Sequence, residues 1–119
     1  MSTEIIAAVV PILPVRDLTR AIDFYERLGF TAKRYRDGDS YAFIQRDGRE
    51  LHLSKTPELI PEHNFVRVYF YLHTKTAAAL EAHCRAEGMT ILEPLAAREW
   101  NMKEFVVQDP DGNRLIFGE

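Results

Sequence analysis

"EFVVQDPDGNRLIF", residues 104–117, reads as two short strands joined by an Asp-Pro-Asp-Gly turn. Proline fixes one φ angle of such a turn and glycine supplies the positive one. The phrase recurs in looser form as "AFIQRDGRELHL", residues 42–53, where Gln45 answers Gln108, Gly48 answers Gly112 and Leu51 answers Leu115. A chain that writes one hairpin twice is expected to contain two copies of one unit.

Working outward from each copy gives the rest of the unit. Residues 5–15 are apolar and β-branched, a strand whose Pro11 and Pro14 suit an edge or a crossing arm. "VRDLTRAIDFYERLGF" (15–30) follows as a helix, with Asp17 as N-cap and Gly29 as the residue that ends it. Strands are expected near 31–36, 40–46 and 49–54. The second half repeats the order: a strand in "FVRVYFYL" (65–72), a helix in "TKTAAALEAHCRAEGM" (74–89) ended by Gly88, then strands near 90–93, 103–108 and 114–117. The expected fold is α+β, one domain over 1–119 made of two βαβββ modules, 5–55 and 65–118, joined by "SKTPELIPEHN". One such sheet has a face it cannot cover alone, and two together make a curved, cleft-bearing surface.

Composition narrows the function. With 46% hydrophobic and 28% charged residues the chain is neither disordered nor collagen-like. A net charge of −3 and no Lys/Arg block argue against a nucleic-acid partner. The apolar start is too short and too broken by proline for a membrane span, and the single cysteine, Cys84, permits no intrachain disulfide. A reducing cytoplasm is the expected setting. Cys84 lies on a helix face among small apolar neighbours and reads as a buried structural thiol, not a nucleophile.

The duplication, "RDLTRAIDFYERLGF" and the closing "DPDGNRLIF" together resemble the glyoxalase, bleomycin-resistance and extradiol-dioxygenase superfamily, also called vicinal oxygen chelate proteins. The resemblance spans nearly the whole chain. It implies a divalent metal in the superfamily's enzymes, held by His and Glu on the first and last strand of each module. Carried onto this sequence, those positions fall near Val10, His52, Arg67 and Ile116. Valine and isoleucine offer no donor, and arginine repels a cation. His52 alone remains, and reads as a half-buried strand histidine bonded to a neighbour. Residues 5–15 contain no His, Asp, Glu or Cys, and His63, His73 and His83 form no pair with ligand spacing. Neither a metal nor another cofactor is therefore expected.

Within the superfamily the chain looks most like bleomycin-resistance proteins, through "VVPILPVRDL", "FIQRDG" and "EWNMKEF". That resemblance implies a homodimer with exchanged N-terminal arms, whose interface grooves hold a bleomycin-like antibiotic or other planar compound unchanged. Tyr41, His52, Arg67, Tyr69, Trp100 and Glu104 are the candidate ligand-binding residues, with no catalytic residue among them. Tyr71 alternates onto the same face as Arg67 and Tyr69. Arg67 would oppose a cationic drug such as bleomycin unless Glu99 or Glu104 neutralises it, which leaves a neutral or anionic ligand open. Two other readings stand beside this one. The first is a superfamily enzyme (lyase, dioxygenase or thiol transferase) with unusual metal ligands. The second is a structural or regulatory dimer with its cleft packed shut.

Overall fold

A computed structural model of the chain describes residues 3–119. Its first half runs β1 (Ile12–Val15), α1 (Leu18–Arg27), β2 (Thr31–Arg34), β3 (Tyr41–Arg46) and β4 (Arg49–Lys55). Its second runs β5 (Arg67–Tyr71), α2 (Ala77–Ala86), β6 (Thr90–Ala97), β7 (Lys103–Gln108) and β8 (Arg114–Gly118). The halves form two four-stranded sheets with matching orders, β1-β4-β3-β2 and β5-β8-β7-β6. In each, the first strand runs parallel to the last and the other pairs are antiparallel.

The repeat holds residue by residue. Tyr41 pairs with Ser54 as Glu104 pairs with Gly118, Phe43 with His52 as Val106 with Ile116, and Gln45 with Glu50 as Gln108 with Arg114. The hairpin turns differ. Asp47-Gly48 closes the first hairpin with φ of 53° and 75°, both left-handed as a tight hairpin turn needs. The second hairpin spends the longer loop 109–113.

Alternation sends one face of each sheet inward. Leu51 and Leu53 of β4, Ile44 of β3, Phe105 of β7 and Leu115 of β8 are buried in one cluster with α1 residues and Cys84 of α2. Phe117 stacks between Phe70 and Phe105, and Phe30 meets Phe70 edge-on across the two halves. Helix α1 starts as expected, with the Asp17 carboxylate accepting from Arg20 N. The α2 N-terminus uses a residue no local signal marks: the Glu119 side chain accepts from Thr76 N and Ala77 N, both at 2.9 Å. These two bonds are the main reason its carboxyl is held below the usual range.

Several boundaries differ from expectation. The strand expected over 5–15 is ordered into a sheet only from Ile12, and Ile5, Ile6 and Val9 stand exposed. Pro11 has no N–H to give a neighbour, so only its carbonyl joins, accepting from His52 N. Strand β2 stops at Arg34, where a short 3-10 turn begins. Helix α2 begins at Ala77 and β5 spans only Arg67–Tyr71. Strand β6 continues past 93 to Ala97, with register shifts on both sides of Glu93; Pro94, within the second shift, is a residue that an edge strand tolerates.

The quoted Asp-Pro-Asp-Gly-Asn loop is a buried joint between the halves as well as a turn. Asp109 accepts from Tyr25 OH (2.6 Å), Asn113 Nδ2 (2.8 Å) and the backbone N–H groups of Asp111 and Asn113. Asn113 Nδ2 also donates to Pro14 O, Arg16 binds Asp111 and Pro110 O, and Asn64 donates to Asp111 O and Asn113 Oδ1. Gly112 sits at φ 87° with its Cα against the Pro61 carbonyl, where a Cβ would collide. We predict that Asp109→Ala lowers stability by about 3 kcal/mol or more, because several buried donors lose one acceptor together. Equilibrium urea unfolding reads this directly, and a loss below about 1 kcal/mol would show that water replaces the carboxylate.

Candidate functional site

The outward face of the β5–β8 sheet carries an open groove of about 530 Å³. Its lining comprises Arg67 and Tyr69 of β5, Glu93 of β6, Arg98 and Trp100 of the β6–β7 turn, Glu104 and Val106 of β7, and Ile116 of β8. Ladder pairing lays these out in rows. Arg67 neighbours Arg114 and then Gln108; Tyr69 neighbours Ile116 and Val106; Tyr71 neighbours Gly118 and Glu104.

Glu104 is the structural centre of the groove and is only 6% exposed. Its Oε2 accepts a short hydrogen bond from Tyr69 OH and another from Trp100 Nε1 at 3.0 Å. Its Oε1 faces Arg98 Nε at 3.8 Å, and Arg98 also meets Glu93 at 3.7 Å. Gly118 makes the first contact possible, since a Cβ there would run into the Tyr69 hydroxyl. Burial, then the bond and charge of Glu104, push the Tyr69 phenol up to about 12. Trp100, at the tip of a turn closed by Arg98 N to Met102 O, is thus tethered although 61% exposed.

Of the expected site residues, the structure brings Arg67, Tyr69, Trp100 and Glu104 together. Tyr41 and His52 lie on the other sheet, where the Tyr41 hydroxyl is hydrogen-bonded to His52 Nδ1 and His52 Nε2 to the Glu50 carboxylate, each at 2.8 Å. The groove within one chain is therefore walled by the second half alone, and a second, smaller hollow lined by Phe43, Gln45 and Glu50 marks the first sheet. Tyr71 stacks obliquely on Tyr69 and is largely exposed. Glu104 was expected to contact a ligand or to neutralise Arg67. Its oxygens instead already face Tyr69, Trp100 and Arg98. Arg98, Glu93 and Gly118 were not anticipated, because a loop and an irregular edge strand carry no periodicity to show which way a side chain points.

The donor set at the positions implied for the superfamily metal does not fit one. Both His52 ring nitrogens are engaged, Arg67 and Ile116 supply no ligand, and Val10 is apolar. Among the described residues no three His, Cys, Asp or Glu side chains gather as a metal site. Burial pushes the Cys84 thiol up to about 11, so at neutral pH it carries almost no thiolate. Among the described residues no helix is long and apolar enough to cross a membrane.

Comparison with known proteins agrees with this architecture. The family model described as "Glyoxalase/Bleomycin resistance protein/Dioxygenase superfamily" matches residues 5–117. A bleomycin resistance protein of Geobacillus stearothermophilus is 26% identical, over 91% of this chain and 92% of its own. Among solved structures, the bleomycin resistance determinant encoded on the transposon Tn5 superposes with a TM-score of 0.84 at 25% identity, covering 96% of this chain and 98% of that one. A bleomycin-binding protein complexed with bleomycin gives 0.82 at 26% identity, with coverage of 96% and 98%.

The Tyr69 phenol tests the groove geometry. In an ultraviolet pH titration, wild type and Tyr69→Phe are expected to coincide up to pH 10, the phenol's ordinary range, and to separate as Tyr69 ionises near pH about 12. Separation already at pH 10 would show that Tyr69 does not bond Glu104 in solution.

Proposed function

The chain belongs to the glyoxalase/bleomycin resistance protein/dioxygenase superfamily, and from that premise we propose that it is a non-catalytic binding protein. On this reading it holds a planar antibiotic of the bleomycin type and confers resistance by sequestration in the cytoplasm. The observation that carries the reading is the Tyr69–Glu104–Trp100 arrangement, two ligand-facing aromatic rings held in place by one buried carboxylate. Rings fixed before binding lose little freedom on stacking, and each aromatic pair contributes about 0.5–1.5 kcal/mol beyond area burial. The two carboxylates that line the groove, Glu93 and Glu104, both face Arg98. The relatives named for bleomycin resistance and bleomycin binding support the same reading. An enzyme with a resident metal has no such support, given the donor set.

The reading includes a homodimer. Residues 5–11 carry the exposed Ile5, Ile6 and Val9, an apolar arm whose own chain does not cover it. Exchange of such arms is an economical way to bury them. It would also bring Tyr41 and His52 of one chain toward the groove of another.

Light scattering at micromolar concentration is expected to report about twice the 13.7 kDa chain mass. A monomer would remove Tyr41 and His52 from the site. Calorimetric titration with bleomycin is expected to show saturable binding, which Trp100→Ala weakens by about 2 kcal/mol, roughly thirtyfold, with unchanged melting. No heat from bleomycin, and no change in emission of the single tryptophan, would end the bleomycin reading.

A further inference from the structure

The groove has two poles of unequal character. Its acidic pole is satisfied internally: Glu104 is held by Tyr69, Trp100 and Arg98, and Glu93 also turns to Arg98. The basic pole is not. Arg67 lines the groove, is exposed, and has no ion pair or side-chain hydrogen bond among the described residues. Its ladder partner on β8 is Arg114, also exposed and also without such a partner. Paired residues on adjacent strands project to the same face at a strand spacing of about 4.8 Å, so two like charges stand side by side. The row continues through Gln108 to Thr90, neither of which carries charge.

Between the poles lie Ile116, Val106 and the Tyr69 ring. From Arg67 to Trp100 the groove therefore presents a free cationic edge, an apolar floor and a tethered indole. Of the two carboxylates named in the sequence as candidates to neutralise Arg67, Glu104 is committed elsewhere and Glu99 forms no ion pair among the described residues.

Resting on the reading of this groove as the ligand site, we propose that it selects a planar aromatic ligand bearing an anionic group. The ring system lies on Tyr69 and Trp100, and a carboxylate or comparable oxyanion is received by Arg67, with Arg114 beside it. Two adjacent guanidinium groups repel one another in the free protein, and an anion between them removes that repulsion as well as adding charge-assisted hydrogen bonds. A cationic group on the same ring is turned away from this edge, and a polycationic drug can dock only with its charged tail outside the groove.

Three probes of one shape separate charge from stacking: naphthoate, naphthamide and naphthylmethylammonium. Binding to the full chain is followed by the indole N–H resonance of Trp100, the only tryptophan, in proton–nitrogen correlation spectra. Naphthoate is expected to bind about tenfold more tightly than the ammonium probe, with the amide between them and the spread narrowing as salt is raised. Arg67→Gln is expected to abolish the advantage of naphthoate over naphthamide. Equal affinities, or a preference for the ammonium probe, overturn the charge proposal while leaving the groove as a binding site. If none of the three probes nor bleomycin moves the Trp100 resonance, the groove reading falls and the charge proposal with it.

Discussion

The Asp109 carboxylate is the constraint on which the rest of the molecule depends. It receives four hydrogen bonds, from a tyrosine of α1, from Asn113 twice, and from the backbone of Asp111. Burial is the largest influence on it and raises its carboxyl above the usual range, against the opposing pull of those donors. Through Asn113, Asp111 and Asn64 the same network reaches β1, the interhalf connector and the start of β5. One loop thus sets how the first half sits against the second. A buried polar network of this kind specifies an arrangement only when every member is satisfied, and among the described residues no buried side-chain nitrogen or oxygen lacks a partner.

Duplication with a shared register makes the two outward faces directly comparable. Where the first sheet has Tyr41, Phe43, His52 and Glu50, the second has Glu104, Val106, Ile116 and Arg114 at the matching places. The first face closes on itself through an edge-on Tyr41–His52–Phe43 group and a histidine with both nitrogens engaged. The second replaces those rings with smaller side chains on its floor and places its aromatics at the rim, which opens the groove. The inward faces of both sheets are apolar, since both fill one cluster at native density.

The groove illustrates how a charge is reassigned by its surroundings. An isolated glutamate on a strand face is a natural partner for a cationic ligand, but here Tyr69 and Trp100 donate to Glu104 and make it a structural anchor for two rings. The freedom to meet a ligand charge passes instead to Arg67, whose ladder row runs through Arg114 and Gln108.

Repetition and punctuation made the fold legible in the sequence: the doubled hairpin, Asp17 before α1, and Gly29 and Gly88 after the helices act within a few residues, and the structure carries each of them. Strand alternation likewise placed Arg67, Tyr69 and Tyr71 on one face, because a side-chain period of two is a local property. Only the tertiary structure decided that Asp109 and Asn113 are buried joints, that Glu119 caps the helix beginning at Ala77, and that Tyr41 and His52 stand apart from the groove. Each of these joins residues distant in the chain, and the pairing of a buried polar atom depends on which segments the packed core brings within about 3 Å, which no local pattern encodes.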